Sequence, residues 1–383
     1  MPIFVTPFAQ LDLIRQPEQQ AEPLQAFDAA DEYLLGHVHT QGLTPDARVL
    51  VLNDSFGALA ASLAGRAEVS SSGDSHLAQL GLQINLRRNQ LPAAAVHFVP
   101  TSEAAQGPFD RVLIRVPKTL ALLEEQLIRL HGQLAPGAQV IAAAMVKHLP
   151  RAAGDLLEKY IGPVQASLAV KKARLLFATP EAKPAPLSPY PTCYRLEKPA
   201  IELLNHANVF CREDLDIGTR AFLPHLPKHL GRVRVADLGC GNGVLGIAYA
   251  LGSPQAELTL VDESYMAVQS AQENWRAALG ERPVEIRAGD GLAEQAEGDS
   301  GGRWVGRAAD GFAGSGAVQP AVPSAAGGWR LPRLAYVPAS PRGLGQRRRA
   351  VDSRQPPPGL PRQAGPLVPG CRAGGGDAKV CGA

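Results

Sequence analysis

The sequence predicts an α/β protein of two tandem domains, each a parallel sheet with crossover helices, the second incomplete and followed by a disordered tail rich in Gly, Pro and Arg. Three observations carry that expectation. Short apolar runs alternate with helical patterns through the first 300 residues, and such alternation argues for parallel strands joined by helices. Two stretches, "YLLGHVHTQGLTPDARVLVLNDSFGALAASLAG" (33–65) and "AFLPHLPKHLGRVRVADLGCGNGVLGIAYALG" (221–252), run through the same order: an aromatic-Leu helix, a loop, a strand, a turn and a small-residue helix. From residue 301 the composition changes: 17 Gly, 14 Ala, 11 Pro and 11 Arg make up 53 of 83 residues, with no Ile, Asn, Glu, His or Met.

In chain order, "RVLVLN" (48–53), "RVLIRV" (111–116) and "AQVIAAA" (138–144) read as strands of a first domain, and "KTLALLEEQLIRLHGQL" (118–134) as a helix between the last two. The Pro-rich "ATPEAKPAPLSPYPT" (178–192) divides the chain. "VRVADL" (233–238) and "ELTLVD" (257–262) are strands of a second domain. The expected organisation is a first domain over 1–177, a linker over 178–192, a second domain over 193–300 and the tail over 301–383.

At 383 residues with 45% hydrophobic content, the chain is long enough for two or three cores. No apolar run reaches the length of a membrane span, and the N-terminus lacks the basic flank of a signal peptide, so a cytoplasmic protein with no membrane partner is expected. Cys193, Cys211, Cys240, Cys371 and Cys381 are odd in number and scattered, with no metal-ligand spacing; they read as reduced thiols and no metal is expected. The net charge of +2 conceals a split, +9 for 301–383 and −7 for 1–300. A basic tail on an acidic body usually suggests a nucleic-acid arm. Here the Arg residues, including Arg347, Arg348 and Arg349, lack interleaved aromatics or a repeat, and would give only unspecific phosphate attraction.

The chemistry concentrates in "VADLGCGNGVLGIAYAL" (235–251), which ends a strand, turns on Gly239, Gly241 and Gly243, and opens a helix. Glycine lets backbone approach a ligand, and the helix N-terminus offers free N–H donors. Asp237, at the strand end, suits the methionine ammonium of S-adenosylmethionine or a bound water, and would repel a dinucleotide pyrophosphate. Its structural alternative is a helix-capping aspartate. Asp262 ends the next strand, where a carboxylate can accept both ribose hydroxyls; the alternative is a solvated strand-end acid. Asp290, in "IRAGDGL" (286–292), follows the third strand, where methyltransferases hold the adenine, although a loop aspartate reads similarly. The first copy's turn, "LNDSFGAL", keeps only Gly57, which makes it a poor cofactor site and a better scaffold.

The chain resembles the ribosomal RNA large subunit methyltransferase G family. The resemblance rests on "LQAFDAADEYLL" (24–35), "LNDSFGAL" (52–59), "VPKTLALLEEQL" (116–127), "KKARLL" (171–176), "NHANVF" (205–210), "LDIGTR" (215–220), "DLGCGNGVLG" (237–246) and "VDESYMAV" (261–268), in order over roughly residues 1–298. It implies tandem Rossmann-like class I methyltransferase domains, a degenerate first copy assisting RNA recognition, and S-adenosylmethionine-dependent transfer to the N2 amine of a guanine in 23S rRNA. It places the cofactor on the Asp237 to Gly243 loop, on Asp262 and near Asp290, with "LDIGTR" packed close by. The family's catalytic signature is Asn-Pro-Pro-Phe after the fourth strand. An exocyclic amine is a weak nucleophile, and the Asn side chain and a Pro carbonyl hold its hydrogens while the aromatic ring stacks on the flipped base. That string occurs nowhere in this sequence, so no catalytic residue is assigned.

In its place stands "QPAVPSAAGGWRLPRLAYVP" (319–338). Gly, Ala, Pro and Arg have the codons richest in G and C, as expected of GC-rich coding DNA translated out of frame. Synonymous codons for this stretch, started one base later, read Asn-Pro-Pro-Phe-His-Gln-Gln-Gln-Val-Val-Gly-Asp-Phe-Leu-Ala-Trp-Arg-Met-Phe. The same offset through "QPPPGLPRQ" (355–363) permits Asn-Arg-His-Leu-Gly-Tyr-His-Ala. Only third positions are free, so two family-like strings in one offset point to a frameshift between Asp290 and Ala317. The alternative is a natural disordered Pro/Gly/Arg tail. A second domain cut there leaves an open sheet edge, and impaired activity is expected of the chain as written. The rival functions are a non-catalytic RNA-binding or assembly factor, a methyltransferase acting on another substrate, and, opposed by Asp237, a dinucleotide oxidoreductase.

Overall fold

The computed structural model describes residues 3–15, 24–227 and 231–291, and the backbone of 335–337. Apart from those last three residues, the tail over 301–383, with its frameshift and its Arg347 to Arg349 run, lies outside the described residues, as does most of the interval proposed for the frameshift.

The chain opens with a short hairpin of β1 (Phe4–Val5) and β2 (Gln10–Leu11), then α1 (Ala29–Gln41), β3 (Arg48–Leu52), α2 (Ala58–Leu63), β4 (Glu68–Gly73), α3 (His76–Arg88) and β5 (Val96–Pro100). It continues through β6 (Phe109–Arg115), α4 (Leu120–Arg129), β7 (Leu134–Met145), α5 (Arg151–Tyr160), β8 (Val164–Ala166) and β9 (Ala173–Ala178). These strands form one seven-stranded sheet in the order β5-β4-β3-β6-β7-β9-β8. Strands β5, β4, β3, β6 and β7 are parallel, and β9 runs antiparallel to both its neighbours. The apolar runs of β3 and β6 are buried because helices cover both faces, which is why they read as continuous rather than alternating. The chain leaves β3 towards β4 and leaves β6 towards β7, in opposite directions, making a switch point between β3 and β6 where open α/β sheets bind ligands.

The Pro-rich connection is docked on α4: Tyr190 Oη donates to Glu124 at 2.9 Å and Ser188 Oγ to Glu125 at 2.6 Å. The second domain begins with a hairpin of β10 (Thr192–Glu197) and β11 (Ala200–Asn205), followed by α6 (Ile217–Phe222). Then come β12 (Arg234–Leu238), α7 (Val244–Gly252), β13 (Glu257–Asp262), α8 (Tyr265–Leu279), β14 (Glu285–Ala288) and, after an undescribed interval, β15 (Ala335–Val337). The sheet order is β14-β13-β12-β15, with β12, β13 and β14 parallel. Helix α7, apolar almost all round, is buried in the core with Tyr249 and Ile247. A Cβ at Gly246 would stand 3.1 Å from three Leu260 side-chain carbons, so this glycine sets the close approach of α7 to β13.

One expectation changes here. The β12 edge is not bare: β15 pairs with it antiparallel, Ala236 opposite Ala335, on the side where β3 has the parallel strand β6. An edge strand presents unpaired N–H and C=O groups that an extended segment can satisfy whatever its sequence.

Candidate functional site

Hydrogen bonds put the two domains in register at their turns. Asn53 N–H donates to Ser72 O at 2.9 Å and Gly239 N–H to Val261 O at 2.7 Å. Thr101 N–H donates to Gly73 O, and Gly289 N–H to Asp262 O. Ala61 N–H reaches Gly57 O, and Ile247 N–H reaches Gly243 O, both at 2.9 Å. The equivalent pairs are therefore Asn53 and Gly239, Gly57 and Gly243, Gly73 and Asp262, and Thr101 and Gly289.

That register shows where the copies part. Gly239, Gly241 and Gly243 have φ of 69°, 55° and 81°, the left-handed region that favours glycine. A Cβ on Gly241 would meet nothing within 4 Å, so the turn's outer face is open to a ligand. Gly243, by contrast, faces inward, where a Cβ would stand 3.1 Å from Ala271 Cβ. In the first domain Ser55 takes the Gly241 position, and Gly73 takes that of Asp262, so no carboxylate stands at the strand end.

The first domain's turn carries its own carboxylate cap. Asp54 Oδ2 accepts from Leu59 and Ala60 N–H, both at 2.9 Å, capping α2 from within the loop. Arg115, at the end of β6, makes a bidentate pair with Asp28 at 2.8 and 3.0 Å and lies 3.3 Å from Asp31. Burial pushes the Asp31 carboxyl up to about 7, against the pull of Arg115. Burial also raises Asp54, with its capped amides pulling the other way. Asp28 ends below the usual range because Arg115 overrides its burial.

In the second domain Asp237 is 1% exposed, and its Oδ2 accepts from Gly246 N–H at 2.9 Å. The helix-capping role weighed from sequence is thus present for one oxygen. Asp237 and Asp54 cap the equivalent helix amide from different chain positions. Burial raises Asp237 to about 6, with nearby Asp262 adding to the effect. Asp262 is not a solvated end: its Oδ2 accepts from Gly241 N–H at 2.8 Å and its Oδ1 from Ser264 N–H at 2.9 Å, and burial raises its pKa. The Gly289 to Asp262 bond draws the turn after β14 to the same end of the sheet, with Asp290 exposed on it. Asp237, Gly239, Gly241, Gly243, Asp262 and Asp290 therefore share the C-terminal end of β12, β13 and β14.

Residues not singled out from sequence hold this end together. Asn242 Nδ2 donates to Asn205 Oδ1 at 2.8 Å and to Tyr194 Oη at 3.0 Å, while Asn274 Nδ2 donates to Asn242 O at 3.0 Å. Asn205 opens the "NHANVF" string, so that string braces the glycine turn. Of "LDIGTR", Leu215 is buried in the core that contains Cys240, Asp216 caps α6 through Thr219 N–H, and Ile217 is 78% exposed. Among the described residues Cys193, Cys211 and Cys240 are free, no group of His, Cys, Asp and Glu could hold a metal ion, and no helix is long and apolar enough to cross a membrane.

Two Rossmann-like sheets in tandem, the first with the strand order of class I methyltransferases and no acid at the Asp262 position, the second with an open glycine turn beside a strand-end acid, define a tandem class I methyltransferase. The comparisons narrow this. The chain matches the family models "RLMG N-terminal domain" over residues 1–182 and "Methyltransferase small domain" over residues 200–300. It is 80% identical over 298 residues to the ribosomal RNA large subunit methyltransferase G of Stutzerimonas stutzeri (strain A1501), covering 78% of this chain and 80% of that one. The protein of that name from Pseudomonas aeruginosa (strain UCBPP-PA14) is 76% identical with the same coverage. The chain belongs to the ribosomal RNA large subunit methyltransferase G family. A T. thermophilus 16S rRNA methyltransferase, solved in complex with AdoMet and guanosine, shares the fold at a TM-score of 0.59 and 20% identity, over 77% of this chain and 76% of that one.

Proposed function

We propose that the second domain binds S-adenosylmethionine on the turn from Gly239 to Gly243 and on Asp262, and that the encoded reaction is methyl transfer to the N2 amine of a guanine in 23S rRNA. The observation that carries the cofactor reading is the divergence of the two turns. Selection for folding alone would treat them alike, yet one turn has Ser55 and Gly73 at the positions where the other has Gly241, with an open face, and an acid, Asp262. When bound, S-adenosylmethionine supplies an electrophilic methyl group. Asp262 would orient it through the ribose hydroxyls, Asp237 would present negative charge towards its amino-acid end, and the turn at Asp290 would border the adenine. The first domain, lacking a strand-end carboxylate, serves as scaffold and RNA-recognition domain. Family membership supports 23S rRNA as the substrate and a cytoplasmic location.

The amine's two acceptors belong to a string this chain lacks. We therefore propose that transfer by the chain as written is impaired, and that a frameshift between Asp290 and Ala317 accounts for the loss; the end of the second family match at residue 300 supports this placement. The test pairs resequencing of codons 285–325 with transfer of labelled methyl from S-adenosylmethionine to 23S rRNA lacking the modification. The expected result is background transfer for the chain as written, and transfer to one guanine after the reading frame is restored. An rRNA-binding but transfer-silent restored chain would establish the assembly-factor reading instead. Transfer to protein or to a small molecule would establish another substrate class.

A further inference from the structure

We propose that Asp74, in the first domain, is a positioning residue for the cofactor site of the second, because it holds the turn that aims Asp262. This rests on reading Asp262 as the ribose acceptor. Asp74 follows β4, is 5% exposed, and accepts four hydrogen bonds. Its Oδ1 takes Thr101 Oγ1 at 2.5 Å and Met266 N–H at 2.8 Å, and its Oδ2 takes Ser264 Oγ at 2.6 Å and Asn208 Nδ2 at 2.7 Å. Three of the four donors belong to the second domain. A carboxylate's two oxygens offer about four acceptor positions, which the four donors fill, and an amide of the same shape, with one oxygen, cannot replace it fully.

The contact has a local two-fold pattern. Ser75 and Ser264 cap α3 and α8, and each is preceded by an acid, Asp74 in one domain and Glu263 in the other. Ser75 Oγ donates to Glu263 at 2.5 Å just as Ser264 Oγ donates to Asp74. His76 N–H donates to Glu263 O at 2.8 Å, and Tyr265 N–H to Asp74 O at 3.3 Å. The pattern breaks one residue earlier, where the first domain has Gly73 and the second has Asp262. Only on the second side does the contact continue into a binding group: Asp74 holds Ser264, Ser264 N–H holds Asp262 Oδ1, and Asp262 Oδ2 receives Gly241 N–H from the glycine turn. Asp74 also accepts Met266 N–H in the first turn of α8, so the far domain caps the helix that follows Asp262. Beside it, Met266 packs with Ala121, Leu122 and Ala207, which keeps water from competing for these bonds.

A residue that merely docks two domains would leave Asp262 untouched, and Leu122 supplies that comparison because it packs at the same contact with no hydrogen bond to the Asp262 turn. The experiment uses the full chain with S-adenosylhomocysteine as calorimetric probe, and hydrogen exchange over peptides covering 239–243 and 261–268. Asp74→Ala is expected to weaken binding about tenfold or more and to deprotect both peptides. Asp74→Asn, which retains one acceptor oxygen, should fall between, and Leu122→Ala should stay within about twofold of the parent. Parental affinity and protection in Asp74→Ala would overturn the proposal, as would an equal loss in Leu122→Ala. If the parent itself does not bind the probe, the cofactor reading fails; exchange then decides the positioning role alone, and unchanged protection at Gly241 and Met266 refutes it.

Discussion

Gly241 and Gly243 are two residues apart, both left-handed, yet substitution by alanine should separate them. At Gly243 the new Cβ would stand 3.1 Å from Ala271 Cβ and 3.3 Å from Ala271 Cα, with φ at +81°. The left-handed conformation costs roughly 1–2 kcal/mol in a non-glycine residue. Overpacking against a helix backbone adds about 1–3 kcal/mol, so Gly243→Ala should destabilise the second domain by about 2–5 kcal/mol. At Gly241, with φ at +55° and nothing within 4 Å, only the conformational cost remains, about 1–2 kcal/mol. Its methyl group projects into the face assigned to the cofactor. The assay is alkylation of Cys240, buried beside this turn, followed by mass spectrometry under native conditions, with exposed Cys193 and Cys211 as internal standards. A loss of about 3 kcal/mol raises the open population, and with it the labelling rate, by roughly 150-fold. Gly243→Ala should label fast. Gly241→Ala should label at most about 30-fold faster than the parent yet lose S-adenosylhomocysteine binding. Equal labelling of the two variants, or parental binding by Gly241→Ala, would refute the assignment of one glycine to packing and the other to the ligand.

Arg115→Ala leaves Asp28 and Asp31 without their cation in a partly buried cluster, and should destabilise the first domain by about 3–5 kcal/mol in chemical denaturation. Because the folded pKa of Asp31, about 7, lies above its unfolded value, its contribution to stability is complete below about pH 4 and is lost as pH rises towards 7. Asp31→Asn should flatten that part of the stability profile, and an unchanged slope would exclude Asp31 as its source. Asp237, raised to about 6, should make affinity for S-adenosylhomocysteine rise through about pH 6 as the carboxylate ionises. Asp237→Asn should abolish that rise; its persistence would assign the titration elsewhere. Asn205→Ala removes one of the two acceptors of Asn242 Nδ2 at the glycine turn and should weaken cofactor binding more than it lowers stability, which calorimetry alongside denaturation would separate.

The strands were legible because buried parallel strands keep unbroken Val, Ile and Leu runs, as in β3, β6 and β13. The glycine turn and Asp262 were legible because the order of strand, turn and helix fixes which side chains meet at a sheet's C-terminal end. Asp237 was legible only as a choice between two roles, since a strand-end acid reaches the helix amide and the ligand space alike. The Arg115 cluster escaped because Asp28, Asp31 and Arg115 lie in separate segments and each alone reads as a solvated charge. Asp74 escaped for a similar reason: its partners Ser264 and Met266 are about 190 residues away, and the only local trace is the acid-Ser pair that starts both α3 and α8. Strand β15 carries no periodic signal, because three residues are too few to show one.

The most direct test of the central claim is calorimetric titration of S-adenosylhomocysteine into the full chain and its Asp262→Ala variant. One site per chain, lost in the variant, is the expected result, because the second domain's turn has an open glycine face and a strand-end acid where the first has Ser55 and Gly73. Two sites per chain, or binding that survives Asp262→Ala, would contradict it.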